Sequence, residues 1–554
     1  MIIPGLRKEL ESAVGSTKNV ELGRALVRNG EFEFKGFPAT KADLPVDWTS
    51  NPLNNRTWLW QTTSFNFFPW LMACHAMDGD KRAIDLALRC VEAWLAQLPA
   101  LEKKGFEFAW HDHATALRTQ HVLWLLKYLE ARRLRPKKLA LLKRFLVKMS
   151  ERLFEEGFYS RHTNHGIEQA RVLALVAISL PQLQDASKWR AVALTRLRSE
   201  LEFAFAADGV HVENSPAYHV FVTRLFCRIY SYFSSQELGD LGRAIEVAMP
   251  LAMHYLTHVT RPDGLLPPIG DTEMTSVTNP FMGFEGAEHY QCVQFSLSAG
   301  KLGSVPTETH SLFTASGWYI ERDTWKATRH YLVFKAGYLS EYHRHDDDLS
   351  IYLWAFGEDW LVDGGLLHYK ENEAQRIYLR SRLAHNLPIL LGDDGYRSLF
   401  DRQRHRTARI THQASNQTMS RVTGIAEVRP GYWLRRQIET RRDPFQLIVT
   451  DVATRADPTV PVMRLCTLWH FPADKTVRLK GNSVEVGSKS CRLVLTPANG
   501  YQAAPRYVDA AALDGITPIM SPKINETSPT HIISFESQEE QLTSSIELTF
   551  WPNT

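Results

Sequence analysis

Histidine and aspartate crowd together in His343-Arg344-His345-Asp346-Asp347-Asp348-Leu349-Ser350, and the same residue types return at Asp363 and His385. Imidazole nitrogens with carboxylate oxygens make a ligand set suited to zinc. In an extended chain, side chains two apart share a face. His343, His345 and Asp347 therefore converge on one spot if the segment runs straight into the strand-like Ile351-Tyr352-Leu353-Trp354. An acidic, histidine-containing surface turn accounts for the same residues without a metal, so the rest of the chain has to decide.

Three constellations nearer the N-terminus bear on that decision. In Trp110-His111-Asp112-His113-Ala114-Thr115-Ala116-Leu117-Arg118, Asp112 suits the cap of a helix. Arg118 could grip a sugar carboxylate with two prongs or pair internally with Asp112 or another acid. Thr163-Asn164-His165-Gly166-Ile167-Glu168-Gln169 offers an amide and an imidazole, or simply a cap and a turn. In Glu213-Asn214-Ser215-Pro216-Ala217-Tyr218-His219, Ser215 is a good cap with proline at the first helical position. Tyr218 then falls in the first turn, where the helix dipole favours a tyrosinate; packing is the plainer role. A tyrosine of lowered pKa can take a proton, and its hydroxyl can return it. Together these residues fit removal of the C5 proton of a uronic acid. That chemistry needs donors to neutralise the carboxylate (Asn, His or Arg), a base, and an acid for the departing O4. Tyr218 could be either or both, with His343 assisting.

The elements that must position them change type along the chain. Ile84, Leu88, Val91, Leu95 and Leu98 recur at steps of four and three, as do Leu142, Leu146, Met149 and Leu153. Similar stretches cover about 114–131, 167–180, 188–206, 217–234 and 241–258. From about residue 312 short β-rich runs take over, and Val477–Lys480, Gly481-Asn482 and Val484–Val486 read as a tight hairpin. At 554 residues, more than one domain is expected. A helical domain over 1–305 and an antiparallel β-sandwich over 306–554 follow, with the boundary in the Gly/Ser/Pro/Thr-rich stretch 300–309. The balance of 64 Lys+Arg against 61 Asp+Glu demands no nucleic acid, and no apolar run is long enough for a membrane span. The six scattered cysteines read as buried free thiols. No signal peptide precedes the fold, so the protein as written is expected in the cytoplasm, or in the periplasm or medium if a leader has been removed. A homodimer is left open.

The motifs around Asn164-His165, Tyr218, His343, Asp363 and His385 stand in the order seen in heparinase II/III polysaccharide lyases. From about Trp58 onward the chain resembles that family, closest to the heparinase III and alginate-lyase-like branches. The resemblance implies an incomplete (α/α) toroid followed by an antiparallel β-sandwich, and β-elimination that leaves a 4,5-unsaturated uronate. It gives Asn164 and His165 to carboxylate neutralisation, Tyr218 to base and acid, and His343 to a second catalytic histidine. It gives His345, Asp363 and His385 to a structural divalent metal, zinc in that family's pattern, and lines the substrate with Trp110, His113, Arg118, Glu213, Asn214 and Arg382. Two other readings compete. One is a metal-dependent hydrolase using His343, His345, Asp363 and His385, disfavoured because no general-base glutamate accompanies them. The other is a non-catalytic glycan-binding protein of a surface-polysaccharide pathway.

Overall fold

The computed structural model describes residues 3–43, 45–277, 281–400, 407–499, 504–537 and 543–552. The chain forms two compact units, Met1–Phe203 with Leu225–Glu246, and Ala204–Arg224 with Val247–Thr554.

The first unit is helical. The Lys81–Lys103 helix buries Ile84, Leu88, Val91 and Leu98 as the spacing predicts, with Trp94 in place of Leu95 as the large buried side chain of its last turns. The Leu139–Phe154 helix buries Leu142, Leu146, Met149 and Leu153. The Asp112–Arg132 and Asn164–Ser179 helices are buried on nearly every face, which marks them as inner helices. Buried charges on and beside the Asn164–Ser179 helix are paired: Arg171 Nε donates to Glu168 Oε2 at 3.0 Å, and an Arg228 nitrogen lies 3.6 Å from Glu168 Oε1.

In the second unit the helices give way after Glu288–Leu297 to strands that begin at His310–Phe313, with one short α-helix, Ala374–Arg380, set among them. Five antiparallel strands run in sequence order from His310–Phe313 to Glu358–Leu361. An eight-stranded antiparallel sheet carries Phe445–Arg455, Tyr432–Arg442 and Met419–Arg429 side by side, and a third sheet centres on Arg464–Pro472. Their inward side chains share one core, in which Phe334, Leu353 and Trp360 meet Val422, Leu434, Trp469 and Leu548. Gly424 permits this closeness: a Cβ there would lie 2.7 Å from that of Ala336. The tight hairpin forms as expected, with Lys480 opposite Ser483 and Gly481 at φ +58°. The described cysteines are free thiols. Among the described residues no helix is long and apolar enough to cross a membrane.

Candidate functional site

The second unit brings Tyr218 and His343 together. The Pro216–Tyr232 helix begins where the sequence places it, with Ser215 Oγ 3.4 Å from the Tyr218 amide nitrogen. The same hydroxyl donates to the Asp271 carbonyl at 2.8 Å, tying the helix start to the 271–272 segment. The Tyr218 ring stacks on the His343 imidazole with centroids 3.6 Å apart and planes 18° from parallel. Its hydroxyl lies 3.0 Å from that of Tyr369.

His343 and His345 do not share a strand face. Their segment is a loop that precedes the Ser350–Ala355 strand, and His343 takes φ +51°. The two histidines nevertheless meet the same carboxylate. His343 Nδ1 is 3.0 Å from Asp271 Oδ2, and His345 Nε2 is 2.9 Å from Asp271 Oδ1. Arg376 completes the cradle, donating to both Asp271 oxygens at 2.6 and 2.8 Å. Burial alone would raise the Asp271 carboxyl, but the donors of His343, His345 and Arg376 hold it well below the usual range. Beside Asp271, the neutral form of His343 that donates from Nδ1 directs its Nε2 lone pair away from that carboxylate. Glu213 Oε2 lies 3.5 Å from that Nε2.

The expectation of a lowered tyrosine is overturned. Burial, the Tyr369 hydroxyl and the nearby Asp271 and Glu213 charges push the Tyr218 phenol well above its ordinary pKa. The helix-start dipole is too weak to offset them.

His345, Asp363 and His385 converge, each offering a ligand atom within 4.8 Å of the others. All three are buried, and His345 Nδ1 and His385 Nε2 have no hydrogen-bond partner among the described residues. Burial lowers His345 to about 4, so it presents a neutral imidazole. Unpartnered buried lone pairs beside a carboxylate fit a divalent cation. Asp346, Asp347 and Asp348 are not part of this cluster: Arg344 pairs with Asp346 and Asp348, and Lys335 with Asp347.

The first unit holds a separate polar group. Asp112 Oδ2 accepts from Ser160 Oγ at 2.6 Å and lies 3.0 Å from His165 Nδ1. His111, rather than Asp112, caps the Asp112–Arg132 helix, its side chain accepting from the Ala114 amide; Asp112 is the first helical residue, where a negative charge is favoured. Burial would raise Asp112, but bonds from His111, His165 and Ser160 hold it far below the usual carboxylate range. His113 stacks on His165 at 4.6 Å and is lowered to about 4, first by burial and then by the His165 charge. His165 stays partly exposed, and Asn164 opens its helix with no side-chain hydrogen bond among the described residues.

Three expected substrate contacts are corrected. Arg118 is fully buried, donates to the carbonyls of Thr63, Phe108 and Ala109, and lies 4.0 Å from the Trp94 ring centroid. Arg382 is buried and donates to the Pro388 carbonyl at 2.8 Å. Asn214, at φ +58°, donates to the Ser340 and Tyr342 carbonyls and so fixes the loop that carries His343. Trp110 gives its indole N–H to Glu102 and has Arg152 over its ring. Sequence reasoning missed Asp271, Arg376 and Tyr369. Only Gly270 signals Asp271: it sits at φ +58°, where a Cβ would come within 2.7 Å of the Asn214 carbonyl.

The family model "Heparinase II/III N-terminus" matches residues 7–288, and "Heparinase II/III-like, C-terminal" matches 305–549. A heparin-sulfate lyase of Bacteroides stercoris is 22% identical over 396 residues, 65% of this chain and 58% of its own length. One of Pedobacter heparinus is 21% identical over 348 residues, 61% of this chain and 52% of its own. The chain thus spans little more than half the length of these relatives. The crystal structure of a mutant heparan sulfate lyase from Pedobacter heparinus superposes with a TM-score of 0.79 at 17% identity, covering 97% of this chain and 84% of that one. A heparinase III structure gives 0.74 at 14% identity, covering 98% and 86%. These are likenesses of fold, an α-toroid and β-sandwich architecture. With both family models matched in order along nearly its whole length, the chain belongs to the heparinase II/III family.

Proposed function

We propose that this protein is a polysaccharide lyase that cleaves a uronate-containing glycan by β-elimination. The observation that carries the reading is the Tyr218–His343 stack, with His343 anchored on Asp271. Because the phenol is held protonated in the substrate-free site, Tyr218 suits the acid step, and the base passes to His343. Nε2 of His343 takes the C5 proton, and the C5–H electron pair becomes the C4–C5 double bond. The C4–O bond then breaks, and the leaving oxygen takes the Tyr218 proton. Glu213 beside Nε2 stabilises the imidazolium that forms. In the first unit, Asn164 and His165 carry an amide and an imidazole of the kind that can neutralise a carboxylate, as the resemblance to the family implies. The heparin-sulfate lyase relatives support a glycosaminoglycan-type polymer or oligosaccharide.

His345, Asp363 and His385 would hold a divalent cation, zinc by their donor set. Bound there, it would cross-link three buried side chains and stiffen the β-domain. Their burial leaves no room for a water and a substrate, which argues against a metal-dependent hydrolase.

Incubation with a panel of uronate polymers in heavy-oxygen water tests the proposal. Unsaturated products without heavy oxygen are expected. Saturated products carrying one heavy oxygen per cleavage contradict it.

A further inference from the structure

A second group of metal-ligating side chains lies elsewhere in the same unit. His254 and His258 stand four apart on the Asp240–Val259 helix, so both face one side of it. Glu308 comes from the connection that precedes the His310–Phe313 strand. Each of the three places a ligand-capable atom within 4.8 Å of the others. They line a cavity of about 250 Å³ together with Glu288, His289 and Cys292. His258 is 1% exposed, and its Nδ1 is buried without a hydrogen-bond partner among the described residues. His254 Nε2 lies 2.8 Å from Ser311 Oγ. When it donates that proton, Nδ1 becomes a lone pair, the arrangement by which a neighbouring group orients a metal-bound histidine.

We propose that His254, His258 and Glu308 form a second transition-metal site, with zinc as the ion their donors fit best, in a cavity that His289 and Cys292 also line. Two imidazoles four apart on a helix with a carboxylate are a recurrent zinc ligand set. Hard cations such as Mg²⁺ and Ca²⁺ prefer all-oxygen cages and are excluded by this chemistry. The bound ion would clasp the 300–309 connection to the last turns of the helix. The inference stands apart from the lyase reading, since none of these residues belongs to the Tyr218 site.

Zinc titration of chelator-stripped full-length protein, followed by metal analysis, tests it. Glu308 is exposed, so Glu308→Gln should fold normally. That variant should bind one zinc roughly tenfold more weakly than wild type, and His254→Ala should lose that equivalent altogether. Zinc should also slow tryptic cleavage after Lys301 in wild type but not in Glu308→Gln. His385→Ala should keep this equivalent while losing the other. Unchanged zinc affinity and stoichiometry in both Glu308→Gln and His254→Ala, or cleavage after Lys301 indifferent to zinc in wild type, would overturn the proposal.

Discussion

Asp271 does more in the second unit than any residue visible beforehand, because one carboxylate sets the orientation of His343 and His345 and neutralises Arg376. Asp271→Asn keeps the shape but leaves the Arg376 guanidinium buried beside a neutral amide. A loss of about 3–5 kcal/mol in denaturant unfolding is expected, together with loss of turnover through a misaligned His343. A variant of wild-type stability would contradict this arrangement. Tyr218 and His343 were legible because their types and flanking residues signal chemistry. Asp271 was not, because it lies 72 residues from His343 in an irregular segment with no period to read. Arg118 and Arg382 misled for a related reason. An arginine suits a substrate carboxylate or a shell of backbone carbonyls equally well, and only the fold shows which surrounds it. Asn214 likewise spends its donors on the loop rather than on substrate.

At the scale of elements, the helices were legible because a repeat near 3.6 buries one stripe, and the Ser215-Pro216 start was legible because capping is local chemistry. Ser215→Ala removes that cap and the bonds to Asp271 and Thr272. It should cost about 1 kcal/mol for the cap alone and should reduce turnover more than stability, since the helix start carries Tyr218. Equal activity would show that the cap does not position the phenol. The inner Asn164–Ser179 helix carries a pH-dependent contribution. Burial alone would raise Glu168, but Arg171 and Arg228 bring it down to about 2, below the ordinary 4.5. A depressed carboxylate stabilises the fold fully above its unfolded pKa. On the order of 3 kcal/mol should therefore be lost as pH falls from 4.5 toward 2. Glu168→Gln should be less stable at neutral pH and flatter across that window; a parallel acid profile would contradict the pairing.

Over the whole molecule, the change from helices to strands was legible, but the grouping of residues into units was not. Ala204–Arg224 belongs with the strand-rich unit although it is partly helical. Asn214 and Ser340 hold it there through hydrogen bonds more than 120 residues apart in the chain, which no local pattern reveals. A cation held by His345, Asp363 and His385 would act at the same scale. Chelation should lower the thermal midpoint, and zinc should restore it, without changing the products formed below that midpoint; a chelated protein that keeps its midpoint would count against a structural ion there. Elimination at the Tyr218–His343 pair is tested most directly by Tyr218→Phe. The hydroxyl's one protein partner described is that of Tyr369, so the variant should fold like wild type. The decisive measurement is the rate of unsaturated-uronate absorbance on a polymer the wild type cleaves. A fall of about a hundredfold or more at unchanged stability is expected, and a rate equal to wild type would contradict the account.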